Sequence, residues 1–406
     1  MNPPSGCLFE NRLSGWSLQL DDPAGRIAVH RRSDLPAAWA AIESARRAGC
    51  WVALLLDYEL GTWLDDGLGL SDPYSQDADA LPRLTALVYA QAREQGQWAP
   101  NVGPDSPASP PARDASALLS GALDLRLRCG RTRTEHARAI SAIRQGIARG
   151  DYYQVNYTMP LTPDWPTGLS PVQVYQDLTA RHPVSHAACL QDGERWVLSL
   201  SPELFVARQG SLLTTRPMKG TAPRHADPIR DRHAADTLLR SEKNRAENLM
   251  IVDLLRNDLG RIATPGTVRV PALFSLEGYP SVWTLTSTVQ AEAPDVPISR
   301  VLQALFPCGS VTGAPKIAAM RAIRTLENRR RGIYCGSVGW LAPNGDFSLN
   351  VAIRTIEVRD GQALFGVGGG IVADSRADEE WRECRWKARI LDRWNPYDDD
   401  TRPRPD

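Results

Sequence analysis

Between Gly366 and Gly370 the chain places four glycines in five positions, and it then runs into a charged stretch, ADEEWRECRWK. Glycine lets a backbone approach a ligand closely and take φ > 0. Its bare N–H groups can hold an anion such as a carboxylate. In the charged stretch Glu380, Glu383 and Lys387 stand at i, i+3 and i+7, which puts them on one helix face. Two carboxylates one turn apart can hold a divalent cation. An anion cradle beside a cation site suggests a metal-assisted reaction on an anionic small molecule. A tight glycine turn followed by a solvated helix face fits the same residues.

The 406 residues suffice for one large domain or two ordinary ones. Apolar content of 42% and charged content of 23% are those of a water-soluble globular chain. The 47 basic residues balance the 47 acidic ones, which argues against nucleic acid or a membrane surface as partner. No apolar run reaches the length of a membrane span. No basic segment followed by an apolar stretch opens the chain, so no leader is expected. Seven scattered cysteines without a CxxC pair read as reduced thiols of a cytoplasmic protein.

Residues 1–98 read as a mixed α/β portion packed on the core. Within it, 37–47 is an alanine-rich helix, 51–58 a buried strand, and 85–97 a strand that passes into a helix. Segment 99–116, APNVGPDSPASPPARDAS, is a linker or surface loop. Segment 117–395 is the main core, and 396–406 a disordered tail. In the core, a helix follows Thr134 and stops at Gly150. Strands are expected at 151–161, 187–191, 196–201, 204–208 and 212–218, the last closing on Lys219-Gly220-Thr221. A helix is expected at 171–181, and a long one at 231–259. Strands at 267–275 and 283–291, a helix at 315–329, and strands at 332–341, 346–358 and 362–367 complete the pattern.

Two further positions stand out. Glu247 lies one turn before Ile251, near an apolar face formed by Leu249, Ile251, Val252, Leu254, Leu255 and Leu259. An unpaired carboxylate there would be costly, and a metal would relieve it; a helix salt bridge to Arg245 or Lys243 would do the same. Lys219, in TTRPMKGT, sits between apolar strand residues and a Gly-Thr turn. Screened from water, a lysine loses its proton more easily and can become a nucleophile. It could equally extend its amine to solvent from a strand end.

These residues fall within a series of ordered motifs: GDYYQVN at 150–156, SPELF at 201–205, RPMKGT at 216–221, AENLMIVDLLRND at 246–258, GSVTGAPK at 309–316, the stretch from Tyr334 to Arg354, and GVGGGIV followed by ExxExRxK. In that series the chain resembles the chorismate-utilising enzymes, from about Arg131 to Trp394, with a fainter likeness in the N-terminal portion. The resemblance implies an α/β (α+β) fold, a two-sheet sandwich with helices on its outer faces and the site between the sheets. It implies Mg²⁺ held by Glu247 and Glu383, with Glu380 beside it, and the metal on the ring carboxylate of chorismate. The amides of Gly368, Gly369 and Gly370 would hold a substrate carboxylate, and Tyr334 and Arg354 the enolpyruvyl carboxylate. Thr221 and Lys387 would also contact substrate, and Thr312, Ala314, Pro315 and Lys316 would form a loop beside it. Arginine and backbone N–H groups suit such a dianion.

Two positions separate the branches of this family. Branches that add water carry a lysine base where this chain has Gln154, and glutamine cannot serve as that base. The branch that forms anthranilate has alanine where this chain has Lys219. Lys219 therefore implies the branch that aminates chorismate at C4, giving 4-amino-4-deoxychorismate on the way to p-aminobenzoate and folate. There the lysine attacks C2 as the 4-hydroxyl departs, ammonia resolves the adduct, and Glu203 assists proton transfer. The anthranilate branch and a silent chorismate-binding paralogue are the alternatives. Where relatives often carry histidine, this chain has Thr284. No glutaminase half is recognisable, so ammonia is expected from a separate glutamine amidotransferase subunit.

Overall fold

The computed structural model describes residues 6–64, 81–98, 125–280 and 282–391. The expected linker at 99–116 and tail at 396–406 lie outside the described residues. In chain order the strands are β1 (Cys7–Asn11), β2 (Trp16–Val29), β3 (Trp51–Leu56), β4 (Leu84–Gln95), β5 (Leu127–Cys129), β6 (Gln154–Pro163), β7 (His186–Asp192), β8 (Arg195–Ser201), β9 (Leu204–Gln209), β10 (Leu212–Arg216), β11 (Met218–Pro223), β12 (Arg269–Gly278), β13 (Val282–Glu292), β14 (Gly313–Ala314), β15 (Ser337–Leu341), β16 (Phe347–Asn350), β17 (Thr355–Arg359) and β18 (Gln362–Ile371). The longer helices are α1 (Leu35–Arg47), α2 (Arg133–Arg149), α3 (Pro171–Arg181), α4 (Pro228–Arg240), α5 (Glu242–Gly260), α6 (Ile298–Leu305), α7 (Lys316–Glu327) and α8 (Ala377–Ala388).

The expected α/β sandwich takes the form of two arms of one antiparallel ladder. The first arm runs from β6, flanked by β5 and β14, through β18, β17, β8 and β7 to β1. The second runs from β2 through β4, β3, β15, β16, β9 and β10 to β13, which also pairs β11 and β12. The β1–β2 hairpin joins the arms. Side chains of β1, β7 and β8 meet those of β3, β4 and β15 in one core, which includes Phe9, Leu55, Leu87, Val197 and Trp340. A second core packs α3 and α8 on the first arm through Val174, Leu178, Cys384 and Ala388. In the largest, Ile251, Val252 and Leu255 of α5 meet Val206 and Val289. The WVALLL run of β3 is apolar throughout because it is covered on both faces.

Local chemistry explains where the boundaries fall. Thr132, rather than Thr134, caps α2: its side chain accepts from the Glu135 N–H and that of Glu135 from the Thr132 N–H. Gly150 ends α2 in the left-handed region at φ 81°. The long helix expected over 231–259 breaks at Ser241, which leaves helical geometry and caps α5 through Asn244 N. The expected helix within 85–97 is strand instead, because β4 pairs with β2 from Leu84 to Gln95. Tertiary pairing overrides local propensity there. Expected strand 332–341 begins only at Ser337, and 346–358 breaks between Asn350 and Thr355. Leu249, expected on the apolar face of α5, is 43% exposed. No helix among the described residues is long and apolar enough to cross a membrane.

Candidate active site

A cavity of about 350 Å³ opens between the arms. The first arm lines it with Phe365–Gly370 of β18 and Asn156 of β6; the second lines it with Lys219–Thr221 of β11 and Thr284 of β13. Helix α5 adds Lys243, Asn244 and Glu247, and α8 adds Glu380, Glu383 and Lys387. The segments around Glu203, Ser310, Tyr334 and Arg354 close the wall.

The glycine cluster is extended strand rather than a turn. Gly366–Gly370 pair with β6 through Pro160–Asn156, and none of these glycines has φ > 0. β17 pairs only as far as Phe365, so beyond it one edge of β18 stays open to the cavity. The glycines provide clearance. A Cβ at Gly366 would overlap the Tyr334 ring, and at Gly370 it would meet the Gln154 amide at 2.5 Å. A Cβ at Gly369 would lie 3.1 Å from Glu380 Oε2 and 3.6 Å from Glu383 Oε1, so both carboxylates stand over this strand.

On the acidic side, Lys387 Nζ pairs with Glu383 Oε1 at 2.7 Å and donates to Gly368 O at 2.6 Å. Its ammonium beside Glu383 holds that carboxyl below its usual range. Burial raises Glu247, and the charge of Glu383 adds to the rise; burial also raises Glu380. The alternative partners of Glu247 are engaged elsewhere: Lys243 pairs with Asp374 at 3.5 Å, and the Arg245 guanidinium lies 5.0 Å from the Phe274 ring centroid. Among the described residues no three His, Cys, Asp or Glu side chains are gathered closely enough to hold a metal. Two carboxylates from facing helices nonetheless fit Mg²⁺, a hard cation that keeps several waters and needs few protein ligands. Glu247 and Glu383 could serve as that pair, with Glu380 beside them.

On the opposite wall a β-bulge at Gly220 (φ 79°) lets Lys219 pair with Leu285 and Thr221 with Thr284. Lys219 Nζ donates to Ser310 O at 3.2 Å. Glu203 is 4% exposed, and burial pushes its carboxyl from the usual 4.5 up to about 7, against the pull of Ser310 and of the Lys219 ammonium. Thr284 Oγ1 donates to Gly220 O at 3.0 Å, bracing the bulge.

Arg354 lies in the left-handed region at φ 50°, and burial lowers its pKa. No hydrogen bond or ion pair of its side chain is found among the described residues, although Arg354 lines the cavity. Such a group awaits an anion.

The structure brings Lys219, Glu203, Tyr334, Arg354, Gly368, Gly369, Gly370, Thr221, Lys387, Glu247, Glu380 and Glu383 to one cavity. Thr312 is not on its wall: it is fully buried, and its hydroxyl donates to Cys308 O at 3.1 Å. Lys316 turns away to Asp258 at 2.7 Å. Sequence reasoning missed Ser310, Asn244 and Tyr279, and it named Lys243 only as a salt-bridge partner of Glu247. Ser310 lies inside the GSVTGAPK motif, and Lys243 stands one turn before Glu247; both signals were available.

Fold and cavity together describe an enzyme of small anionic substrates. The family model for chorismate binding enzymes matches residues 7–393. The aminodeoxychorismate synthase component 1 of Salmonella typhimurium is 38% identical over 80% of this chain and 70% of its own length. Two further relatives of that name are matched over 62% and 57% of their length. The anthranilate synthase component 1 of Streptomyces coelicolor is 40% identical over 64% of this chain and 51% of its own. A crystal structure of anthranilate synthase component I from Streptococcus pneumoniae superposes with a TM-score of 0.76 at 25% identity, over 93% of this chain and 92% of that one. The chain belongs to the chorismate binding enzyme family.

Proposed function

We propose that this chain is a transferase that aminates chorismate at C4, a reading that its likeness to aminodeoxychorismate synthase component 1 supports. The observation that carries the reading is Lys219, whose amine reaches the cavity beside Ser310 with Glu203 close by. The Lys219 amine attacks C2 through its nitrogen lone pair, the ring double bonds shift, and the C4 hydroxyl leaves as water with a proton from Glu203. Ammonia then adds at C4, the double bonds shift back, and the bond from Lys219 to C2 breaks. Glu203 takes a proton from the incoming nitrogen and is reset. Arg354, the Tyr334 hydroxyl and the open edge of Gly368–Gly370 hold the two carboxylates. Thr221 and Lys387 complete the contacts. Glu247 and Glu383, with Glu380 beside them, would hold Mg²⁺, which supplies positive charge for the ring carboxylate and withdraws electrons from the ring.

Ammonia would come from a glutamine amidotransferase on a separate chain. The product would pass to a lyase that yields p-aminobenzoate for folate. A cytoplasmic site of action agrees with the seven free cysteines.

The test is product identification. The full chain is incubated with chorismate, Mg²⁺ and an ammonium salt, and the products are read by mass spectrometry. p-Aminobenzoate that appears only after an aminodeoxychorismate lyase is added supports the reading. Anthranilate formed without the lyase replaces it with the second reading, which the Streptomyces coelicolor relative keeps in play. No turnover, even with a glutaminase subunit present, would indicate a silent paralogue.

A further inference from the structure

Glu383 enters the cavity already paired. Lys387, one turn further along α8, holds it at 2.7 Å and is itself fixed by Gly368 O at 2.6 Å. The two side chains keep 51% and 35% of their surface open to the cavity, so neither is sealed in this arrangement. Around one point, where Gly369 would carry a Cβ, lie Glu380 Oε2 at 3.1 Å, Glu383 Oε1 at 3.6 Å and Lys387 Nζ at 3.9 Å. An ammonium therefore stands beside Glu380 and Glu383, the second of which is read as a ligand of the divalent cation. A lysine has three N–H donors and no acceptor, so it cannot share a metal site as a ligand. It can only compete for the oxygens.

The charges around the site support this competition. Glu247, Glu380 and Glu383 face Lys219, Lys243 and Lys387 across the same cavity. Arg354 adds a fourth cation on the same wall, so the cavity carries no excess of negative charge without a metal. A divalent cation alone adds two positive charges, and a dianionic substrate offsets them. Ion and substrate are thus favoured together over either alone.

We propose that Lys387 is the built-in counter-ion of the cation site: it occupies Glu383 when no divalent cation is bound and yields it on loading. Its released ammonium then turns to an anionic group of the substrate. This couples metal loading to substrate capture and holds the metal affinity low until substrate arrives. The proposal rests on the reading of Glu247 and Glu383 as metal ligands.

The test is Mg²⁺ binding to the full chain by titration calorimetry, with no substrate. Lys387→Met removes the competing charge, and Lys387→Gln removes it while keeping a donor for Gly368 O. Both are expected to bind Mg²⁺ at least about fivefold more tightly than wild type, and Lys387→Arg about as wild type does. Glu383→Gln is expected to weaken binding in either background. Unchanged or weaker binding by both neutral variants, with Glu383→Gln still deleterious, overturns the proposal and leaves the metal reading intact. Absence of Mg²⁺ binding in every form overturns both.

Discussion

Glu203 and Lys219 converge on one residue, Ser310. The lysine amine donates to its carbonyl oxygen at 3.2 Å, and its hydroxyl bonds the buried carboxyl. The proposed proton donor and the proposed nucleophile thereby share one wall, facing the open edge of the glycine strand. The donor is kept protonated near neutrality by burial, which opposes the charged form.

That burial has a thermodynamic signature. The Glu203 carboxyl is raised from 4.5 to about 7 in the folded chain. The stability it contributes is complete below pH 4.5 and is lost as pH rises through about 7. Glu203→Gln, which cannot ionise, is expected to match wild type near pH 4.5 and to melt a few degrees higher at pH 8. Melting curves across that interval check it. A constant offset at every pH would mean that the carboxyl titrates normally.

Lys219→Ala is expected to lower C4 amination by at least about a thousandfold, the loss typical of removing an activated nucleophile. Intact-mass analysis provides an independent measure. Wild type given chorismate without ammonia is expected to carry an adduct of chorismate less one water, and the variant none. An unmodified wild type with full turnover would remove the covalent step.

Among the described residues the Arg354 side chain has no hydrogen bond or ion pair, and it lines the cavity where the substrate is proposed to bind. Arg354→Met is expected to leave the melting temperature unchanged or higher, because an unpaired charge is no longer buried. The same change is expected to raise KM for chorismate by about 100-fold, and Arg354→Lys by about 10-fold, since lysine lacks the planar fork. Thermal melts and steady-state kinetics on the same preparations separate the two effects.

Gly366→Ala is expected to cost about 1–3 kcal/mol, because the new methyl overlaps the Tyr334 ring and one of them must move. KM for chorismate rises with it. Denaturant unfolding gives the first quantity. A variant as stable as wild type, with unchanged KM, would show that Tyr334 has room to yield.

How much could be read in advance depended on the kind of signal. Glu247, Glu380 and Glu383 were legible because helix periodicity and ordered motifs both pointed to them. The strand expected at 51–58 was legible as far as Leu56, from the uniform apolarity of WVALLL. The glycine cluster was expected as an anion cradle, with a tight turn as the alternative; its role as clearance was not legible, because single-sequence reasoning sees the freedom of glycine and not the ring of Tyr334, 32 residues away, that needs the space. The second half of β4 has helix-forming residues, and only its pairing with β2 makes it a strand. Thr312 lay in the right loop but faces its own backbone, an orientation that spacing within GSVTGAPK does not reveal. The unpaired state of Arg354 was invisible for the same reason: it depends on what other segments fail to supply.

The single ladder has a consequence for biosynthesis. Leu56 of β3 pairs with Ser337 of β15, a partner about 280 residues further along the chain. At ribosomal rates of about 5–20 residues per second, that strand emerges on the order of 15–60 seconds before its partner exists. During that interval WVALLL offers an open, uncharged, strongly β-prone edge to any neighbouring nascent chain. Production of the folded enzyme is then limited by how well this one segment is shielded while translation catches up, and a message truncated before residue 337 would yield a product that aggregates.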